Sequence, residues 1–362
     1  MARGGEHPSF VRTGTPLAKA RLLVLAKARP ACWRSAAGLS TAPPPTAEAE
    51  IRRPPHSRRL LPVSRIPASR TLLLHNPNAG GEGGSSDGSV RTLERAGHDV
   101  VYREADEKVL AGIGREDFDL VVIAGGDGTV ADVLRAVEDL APPITILPAG
   151  TANNVAYALG IEGPIPMLLR GLADGRRSSL RFGRAGGVGG RTQRFFESVG
   201  LGTLAHALQP VNQRQVPSDQ KIPQGLKALR RSLVEAPRCD VALNLDGVET
   251  EERLIWLEVA NIPRIGPQLL LAPTADPAAG SFRVATAETD DRDELLDWLD
   301  NHPDRNPAPI RIRSARRIDI RWRNAQWHLD DFFHDARSEP QSLHIDFDSF
   351  TVRVIIPKRP ES

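Results

Sequence analysis

The stretch that decides the fold is Leu120-Val121-Val122-Ile123-Ala124-Gly125-Gly126-Asp127-Gly128-Thr129-Val130-Ala131-Asp132-Val133-Leu134. Its opening is a continuous apolar run, the signature of a strand covered on both faces. Its end changes period. Val130, Val133, Leu134 and Val137 share one face of a helix expected over 130–140, while Asp132, Arg135 and Glu138 point away. Between the two, glycines let backbone N–H groups approach a phosphate without interference from Cβ, and the helix start adds partial positive charge. An aspartate inside such a loop repels phosphate. Its natural partner is Mg²⁺ held together with the phosphates of a nucleotide. A plain strand–helix turn capped by Asp127 and Thr129 is the alternative on this segment alone.

The same grammar repeats on either side. Thr71–His75 is an apolar run ending in Asn76-Pro77-Asn78-Ala79-Gly80, Val100–Tyr102 is a further strand, and Ile144–Leu147 runs into Pro148-Ala149-Gly150-Thr151-Ala152-Asn153. Strands alternating with helices predict a mostly parallel sheet, here a Rossmann-like three-layer α/β domain over residues 67–175. Ligands of such sheets bind beyond the carboxyl ends of the strands, which is where all three loops fall. Beyond residue 176 the pattern turns to β. Candidate strands are Ser179–Phe182, Arg194–Val199, Asp240–Leu245, Arg253–Val259, Phe282–Ala285, Ile310–Ile312, Ile318–Trp322 and Thr351–Ile356, with one helix around Leu226–Val234. They predict a second, β-rich and sandwich-like domain over 176–362. Asn244-Leu245-Asp246-Gly247 reads as an ordinary hairpin turn.

Composition narrows the function classes. The 362 residues are 40% hydrophobic and 25% charged, with two cysteines and a net charge of +2. Two cysteines cannot build a disulfide framework or a cysteine zinc site, which points to a reducing, cytoplasmic setting. No apolar run reaches the roughly 18 residues that a spanning helix needs. Residues 1–70 hold 13 Lys/Arg against 3 Asp/Glu, leaving 34 against 42 for the remainder. The body is therefore mildly acidic, which argues against nucleic acid as a partner. Residues 1–66, rich in Ala, Arg and Pro, are expected to be an unstructured basic extension. An organellar transit peptide and a tail touching anionic lipid are the other readings.

Taken together, Asn76–Gly80, Gly125–Thr129 and Pro148–Asn153 resemble, in order, the landmarks of the diacylglycerol kinase catalytic-domain family. That family includes the bacterial soluble lipid kinases and is related to sphingosine and ceramide kinases. The likeness continues through Ser198-Val199-Gly200-Leu201-Gly202, Val259-Ala260-Asn261 and Leu271–Ala275 to Val352–Pro357. The resemblance implies that the first domain binds ATP and the second accepts a lipid at the membrane surface, with the γ-phosphate passing to a lipid hydroxyl, diacylglycerol-like or sphingoid. By position, Asn76, Gly80, Gly126, Asp127, Gly128, Thr129, Thr151 and Asn153 would contact nucleotide, and Asp127 would also hold Mg²⁺. A homodimer is left open. Asp132 stands where the family usually has Glu, and it equally completes a Thr129-x-x-Asp132 capping box.

At one place the chain departs from the family. The base of the bacterial members is the Glu of an Asp-Gly-Glu turn, and here Trp327-His328-Leu329-Asp330-Asp331-Phe332 takes its place. Asp330 matches the Asp, Gly has become Asp331, and Glu has become Phe332. Asp331 and Asp330 are thus the catalytic candidates, with Asp335 able to reach in from the loop. The alternatives are an NAD kinase-like or other soluble-substrate kinase, and a nucleotide- or lipid-binding protein without activity. His206, His328 and His334 lack metal-ligand spacing and read as surface or satisfied core residues. Trp256, Trp322 and Trp327 read first as core of the β part.

Overall fold

The computed structural model describes residues 69–77, 79, 86–106, 109, 117–136, 142–187, 190–212, 216–235, 238–304 and 307–359. The extension over 1–66, Gly80 and Val137 lie outside the described residues. The first part runs β1 (Arg70–His75), α1 (Ser86–Arg95), β2 (Asp99–Glu104), β3 (Leu120–Gly125), α2 (Asp127–Ala136), β4 (Ile144–Pro148), α3 (Asn154–Ala158) and α4 (Ile165–Arg170). β3 is buried along its whole length, as its unbroken apolar sequence requires. β1 pairs in parallel with both β2 and β3, and β3 pairs in parallel with β4. The order is therefore β2-β1-β3-β4. The chain reverses direction across the sheet between β1 and β3, and their carboxyl ends form the switch point where such folds bind ligands. α2 opens at Asp127, three residues earlier than the apolar period indicates, because Gly126 and Asp127 already supply its first turn.

The second part contributes β5 (Arg176–Gly186), β6 (Thr192–Phe195), β7 (Ser198–Gly202), α5 (Thr203–Asn212), α6 (Ser218–Glu235), β8 (Cys239–Leu245) and β9 (Val248–Ala260). It continues with β10 (Arg264–Ile265), β11 (Leu269–Leu270), β12 (Phe282–Glu288), α7 (Arg292–Asp300), β13 (Arg311–Ala315) and β14 (Ile318–Trp322). It closes with β15 (Trp327–Leu329), β16 (Phe332–His334) and β17 (Gln341–Ile356). The β8–β9 hairpin turns at Asp246 and Gly247, both at positive φ, 52° and 95°, as expected for an Asp-Gly turn between strands. The main path of the sheet is β16-β15-β7-β9-β8-β14-β17-β4-β3-β1-β2. β17 pairs antiparallel with β5 and β14, and beside β4 it adds a parallel partner at Val354–Ile144. The last strand thus belongs to both kinds of sheet.

Three apolar cores hold these layers. One surrounds β1, β3 and β4 beneath the helices, with Leu72–Leu74, Ile123, Leu134 and Ile146 inside. A second lies within the β part, where Phe195, Phe282 and Phe347 stack at 5.6 and 4.0 Å between ring centres. A third lies under α5, α6 and α7 around Trp256 and Trp298, which are fully buried. Trp256, Trp322 and Trp327 are core residues, as their strand contexts indicate. Their burial removes roughly 150–250 Å² of surface each from water.

Candidate active site

Three loops meet at the switch point. After β1, Asn76 Nδ2 donates to Thr129 Oγ1 at 2.8 Å, and its backbone N–H donates to Ala124 O at 3.0 Å. The loop after β3 and the loop after β4 touch backbone to backbone. A Cβ on Gly150 would lie 2.2 Å from Gly126 Cα, and a Cβ on Gly126 would lie 2.9 Å from Gly150 Cα. Only glycine fits at both places. Asp127 Oδ1 then accepts the backbone N–H of Val155 at 3.0 Å, so the carboxylate of one loop caps the helix that follows the other.

Asn153 holds the third loop from within. Its Oδ1 accepts from Gly150 N at 2.9 Å, and its Nδ2 donates to Gly150 O at 2.7 Å. Its φ of 53° is left-handed, a conformation Asn tolerates better than most residues. Thr151 Oγ1 donates to Ser218 O at 3.2 Å, and Asn154 Nδ2 donates to Gly266 O at 2.9 Å. Gln268 Nε2 donates to the carbonyls of Thr151 and Ala152 at 3.3 and 3.1 Å. The loop is thereby tied to the start of α6 and to the β10–β11 turn. Gly128 is exposed, with open space where a Cβ would be.

Facing these loops is the turn between β15 and β16. Asp330 is buried, and its carboxylate accepts the backbone N–H groups of Phe196, Glu197 and Ser198 at 2.9–3.3 Å. Arg135 of α2 places Nη2 3.4 Å from Asp330 Oδ2. Burial pushes the Asp330 carboxyl up to about 6, while Arg135 and the N–H groups of Glu197 and Ser198 favour its charged form. Asp330 is also left-handed at φ 48°. Asp331, next in the chain, is exposed. Phe332 is 48% exposed and lies against the Arg135 guanidinium, 4.6 Å from ring centre to Cζ. The aromatic ring at the family's Glu position thus contributes a cation–π contact in place of a carboxylate. The Asp335 carboxylate accepts from Gln209 at 2.7 Å.

One carboxylate in the cluster escaped the sequence reading. Glu197 sits between β6 and β7, densely surrounded, and its carboxyl is pushed well above the ordinary range. Burial is the main cause, followed by the charges of Asp127, Asp331 and Asp330, with a hydrogen bond from Asn154 working the other way. Asp127 is raised as well, first by burial and in smaller part by Asp331, against the N–H groups of Val155, Asn154 and Asn153. The structure therefore gathers Asp127, Glu197, Asp330 and Asp331 into one electrostatic group. The only sequence signal for Glu197 is a single charge opening the buried run Ser198–Gly202.

No group of three or more His, Cys, Asp or Glu among the described residues is arranged to hold a metal ion by itself. The donor set fits a cation of another kind. Mg²⁺ commonly takes one or two carboxylates and completes its shell with water and substrate phosphates. Asp127, at the mouth of a glycine-lined backbone cradle, offers that carboxylate.

Comparison with known proteins agrees with this geometry. The sequence profile of the diacylglycerol kinase catalytic domain matches residues 70–185. A diacylglycerol kinase of Mycobacterium tuberculosis is 27% identical over 245 residues, covering 65% of this chain and 78% of that protein. A diacylglycerol kinase of Staphylococcus aureus is 26% identical over 125 residues, covering 32% of this chain and 39% of that protein. A solved structure of a diacylglycerol kinase from Bacillus anthracis shares the fold, with a TM-score of 0.58 at 17% identity over 80% of this chain and 97% of that one. With the three loops in place and the profile spanning them, residues 70–185 carry the diacylglycerol kinase catalytic domain.

Proposed function

We propose that this chain transfers the γ-phosphate of ATP to a lipid hydroxyl, diacylglycerol-like or sphingoid, at the membrane surface. The observation that carries the reading is the meeting of the three loops at the switch point, opposite a turn that carries a carboxylate. The backbone N–H groups around Gly126 and Gly128 and the start of α2 would cradle the phosphates. Asn76 and Asn153, whose amides hold Thr129 and Gly150, keep that cradle in shape. Asp127 would hold Mg²⁺, which when bound neutralises phosphate charge.

Transfer of this kind has a loose transition state, so the residues mainly position groups and offset charge. The acceptor hydroxyl loses its proton to a carboxylate as its oxygen bonds to the γ-phosphorus and the bond to the β-phosphate oxygen breaks, releasing ADP. Asp331 is the first candidate for that carboxylate, being exposed and electrostatically linked to Asp127. Glu197 is the second. Asp330, with its oxygens committed to four donors, acts as a structural latch. No helix among the described residues is long and apolar enough to cross a membrane. The lipid would therefore be met from the membrane surface, in keeping with a substrate domain formed by residues 176–362.

A binding protein without turnover is the second reading, and Phe332 stacked on Arg135 at the family's Glu position is what favours it. Purified protein with γ-labelled ATP, Mg²⁺ and dispersed diacylglycerol, ceramide or sphingosine, with NAD⁺ in a parallel tube, separates the readings. Labelled lipid supports the proposal. Labelled NADP with untouched lipid replaces it by the soluble-substrate reading, and ATP binding without transfer replaces it by the binding reading.

A further inference from the structure

Glu258 on β9 and His328 on β15 are separated by a whole strand, β7, yet they touch. Gly200 of β7 pairs in register with Glu258 on one side and with His328 on the other. Residues two strands apart in this way have backbones roughly 10 Å apart, at the usual spacing of about 4.8 Å per strand. The gap is open because Gly200 has no side chain: a Cβ there would lie 2.2 Å from Glu258 Oε2. Across it, His328 Nε2 stands 3.0 Å from Glu258 Oε1, with the two side chains 3% and 0% exposed. The approach is not aligned as a straight hydrogen bond, so the contact is chiefly one of charge. Trp256 Nε1 donates to the other Glu258 oxygen at 3.4 Å.

The far side of the imidazole reaches the acidic turn. His328 Nδ1 lies 3.0 Å from the carbonyl oxygen of Asp330, an acceptor only, so Nδ1 carries a proton. Phe333 stacks on the ring at 5.7 Å. A proton on Nε2 makes His328 the partner of the buried Glu258 carboxylate. Burial alone would lower the imidazole; the Glu258 charge and contact, then the carbonyl and charge of Asp330, outweigh it and raise it. The other charged groups near this ring are Asp331 on the turn, His334 on β16, and Arg135 of α2 acting through Asp330.

Asp330 needs holding. A non-glycine residue in the left-handed region persists only where its surroundings fix it. Its side chain is fixed by three N–H groups and Arg135, and its carbonyl by His328. That carbonyl shares a peptide plane with the Asp331 nitrogen, so fixing it sets the direction in which Asp331 leaves the turn.

We propose that Glu258 and His328, meeting over Gly200, are positioning residues that aim Asp331 at the nucleotide loops; the link to catalysis rests on the kinase reading above. Neither touches substrate. When His328 loses the Nε2 proton, Nδ1 still donates to the Asp330 carbonyl, but Nε2 and the Glu258 carboxylate face each other as two acceptors, which loosens the ring behind the turn.

The test uses the full chain, Glu258→Gln and Gly200→Ala. Glutamine keeps the volume and can donate to Nε2, preserving the Asp330 contact without the charge. Alanine at 200 parts the pair while leaving both members present. Histidine-labelled NMR follows the titration of His328, and amide exchange at Asp330 and Ser198 reports the turn; neither needs a substrate. Then kcat and KM for ATP are measured against pH with dispersed dioleoylglycerol. Expected in the parent is a loss of turn protection, beyond the intrinsic rise of exchange with pH, that follows His328 deprotonation above about pH 6.5. Expected with it is a fall in kcat over the same range with KM for ATP unmoved. Glu258→Gln should shift both transitions downward together, and Gly200→Ala should lower kcat about tenfold or more. Turn protection indifferent to the His328 titration overturns the proposal, as does a lowered Tm with an unshifted pH profile. A parent inert on every acceptor removes the kinase reading alone. The exchange data then decide the positioning role: protection that follows His328 supports it, and indifference rejects it.

Discussion

Val155 donates its backbone N–H to Asp127 Oδ1 at 3.0 Å, so the aspartate of the Gly-Gly-Asp-Gly-Thr loop is also the cap of the helix that follows Pro-Ala-Gly-Thr-Ala-Asn. One carboxylate joins the loop after β3 to the helix after β4, and the same carboxylate is the one proposed to hold a cation. Two roles on one residue can be separated by the choice of substitution.

Asp127→Asn keeps an oxygen for Val155 and removes the charge. Its Tm should stay close to the parent's while phosphate transfer falls by a hundredfold or more. Asp127→Ala removes the cap as well, and should cost about 1 kcal/mol of stability besides. Thermal melts beside transfer assays check both. Unchanged turnover of Asp127→Asn at saturating ATP and Mg²⁺ would reject the metal-holding role.

The acidic turn assigns two carboxylates different work. Asp331→Asn should lower kcat by about 10²–10⁴-fold with KM for ATP nearly constant, the size of effect typical of a lost general base. If Glu197 supplies the base instead, Glu197→Gln produces that loss and Asp331→Asn does not. Phe332→Glu places a carboxylate at the family's position and removes the ring beneath Arg135. Higher turnover in that variant, with full activity in Asp331→Asn, means that the native turn works without a base.

Asp330 should reveal itself through stability. Asp330→Ala leaves the N–H groups of Phe196, Glu197 and Ser198 without their acceptor and Arg135 without its buried partner. The expected cost is about 3 kcal/mol, read from denaturant unfolding. A variant as stable as the parent would show that the latch contributes nothing.

Cys239 is buried on β8, and burial pushes its thiol up to about 11. The neutral form is the favoured one, so its contribution to stability is present below the usual thiol range and is lost as pH rises through about 11. In a Cys32→Ser background, Cys239 should not react with a thiol reagent at pH 8 until the protein is unfolded. Rapid labelling of the folded protein would contradict its burial.

Much of the first part was legible because parallel strands buried on both faces read as unbroken apolar runs, as Leu72–Leu74 and Leu120–Ile123 do. The loops were legible because each combines a strand end with glycine and amide residues. What stayed hidden depends on strand order. β15 and β16 are three residues each, too short to show a period. The first half of β17 alternates Leu343, Ile345 and Phe347 with His344, Asp346 and Asp348, and it was not among the candidate strands. In the fold, Arg184 and Arg194 on β5 and β6 pair with the two aspartates at 2.7 Å, making the charges part of a sheet face. His328 showed no metal spacing, and its partner became visible only once β7 stood between β9 and β15. Glu197 offered only a single charge before a buried run, because the charges around it come from two distant segments, at Asp127 and at Asp330–Asp331.

Delivery of a phosphate from ATP to a lipid hydroxyl by the three loops, as proposed above, can be followed directly. The most direct measurement incubates the parent and Asp127→Asn with γ-labelled ATP, Mg²⁺ and a total lipid extract, then follows label into the organic phase. A labelled lipid is expected with the parent and almost none with Asp127→Asn. Label recovered only as inorganic phosphate or in a water-soluble acceptor, or equal lipid labelling by both proteins, would contradict it.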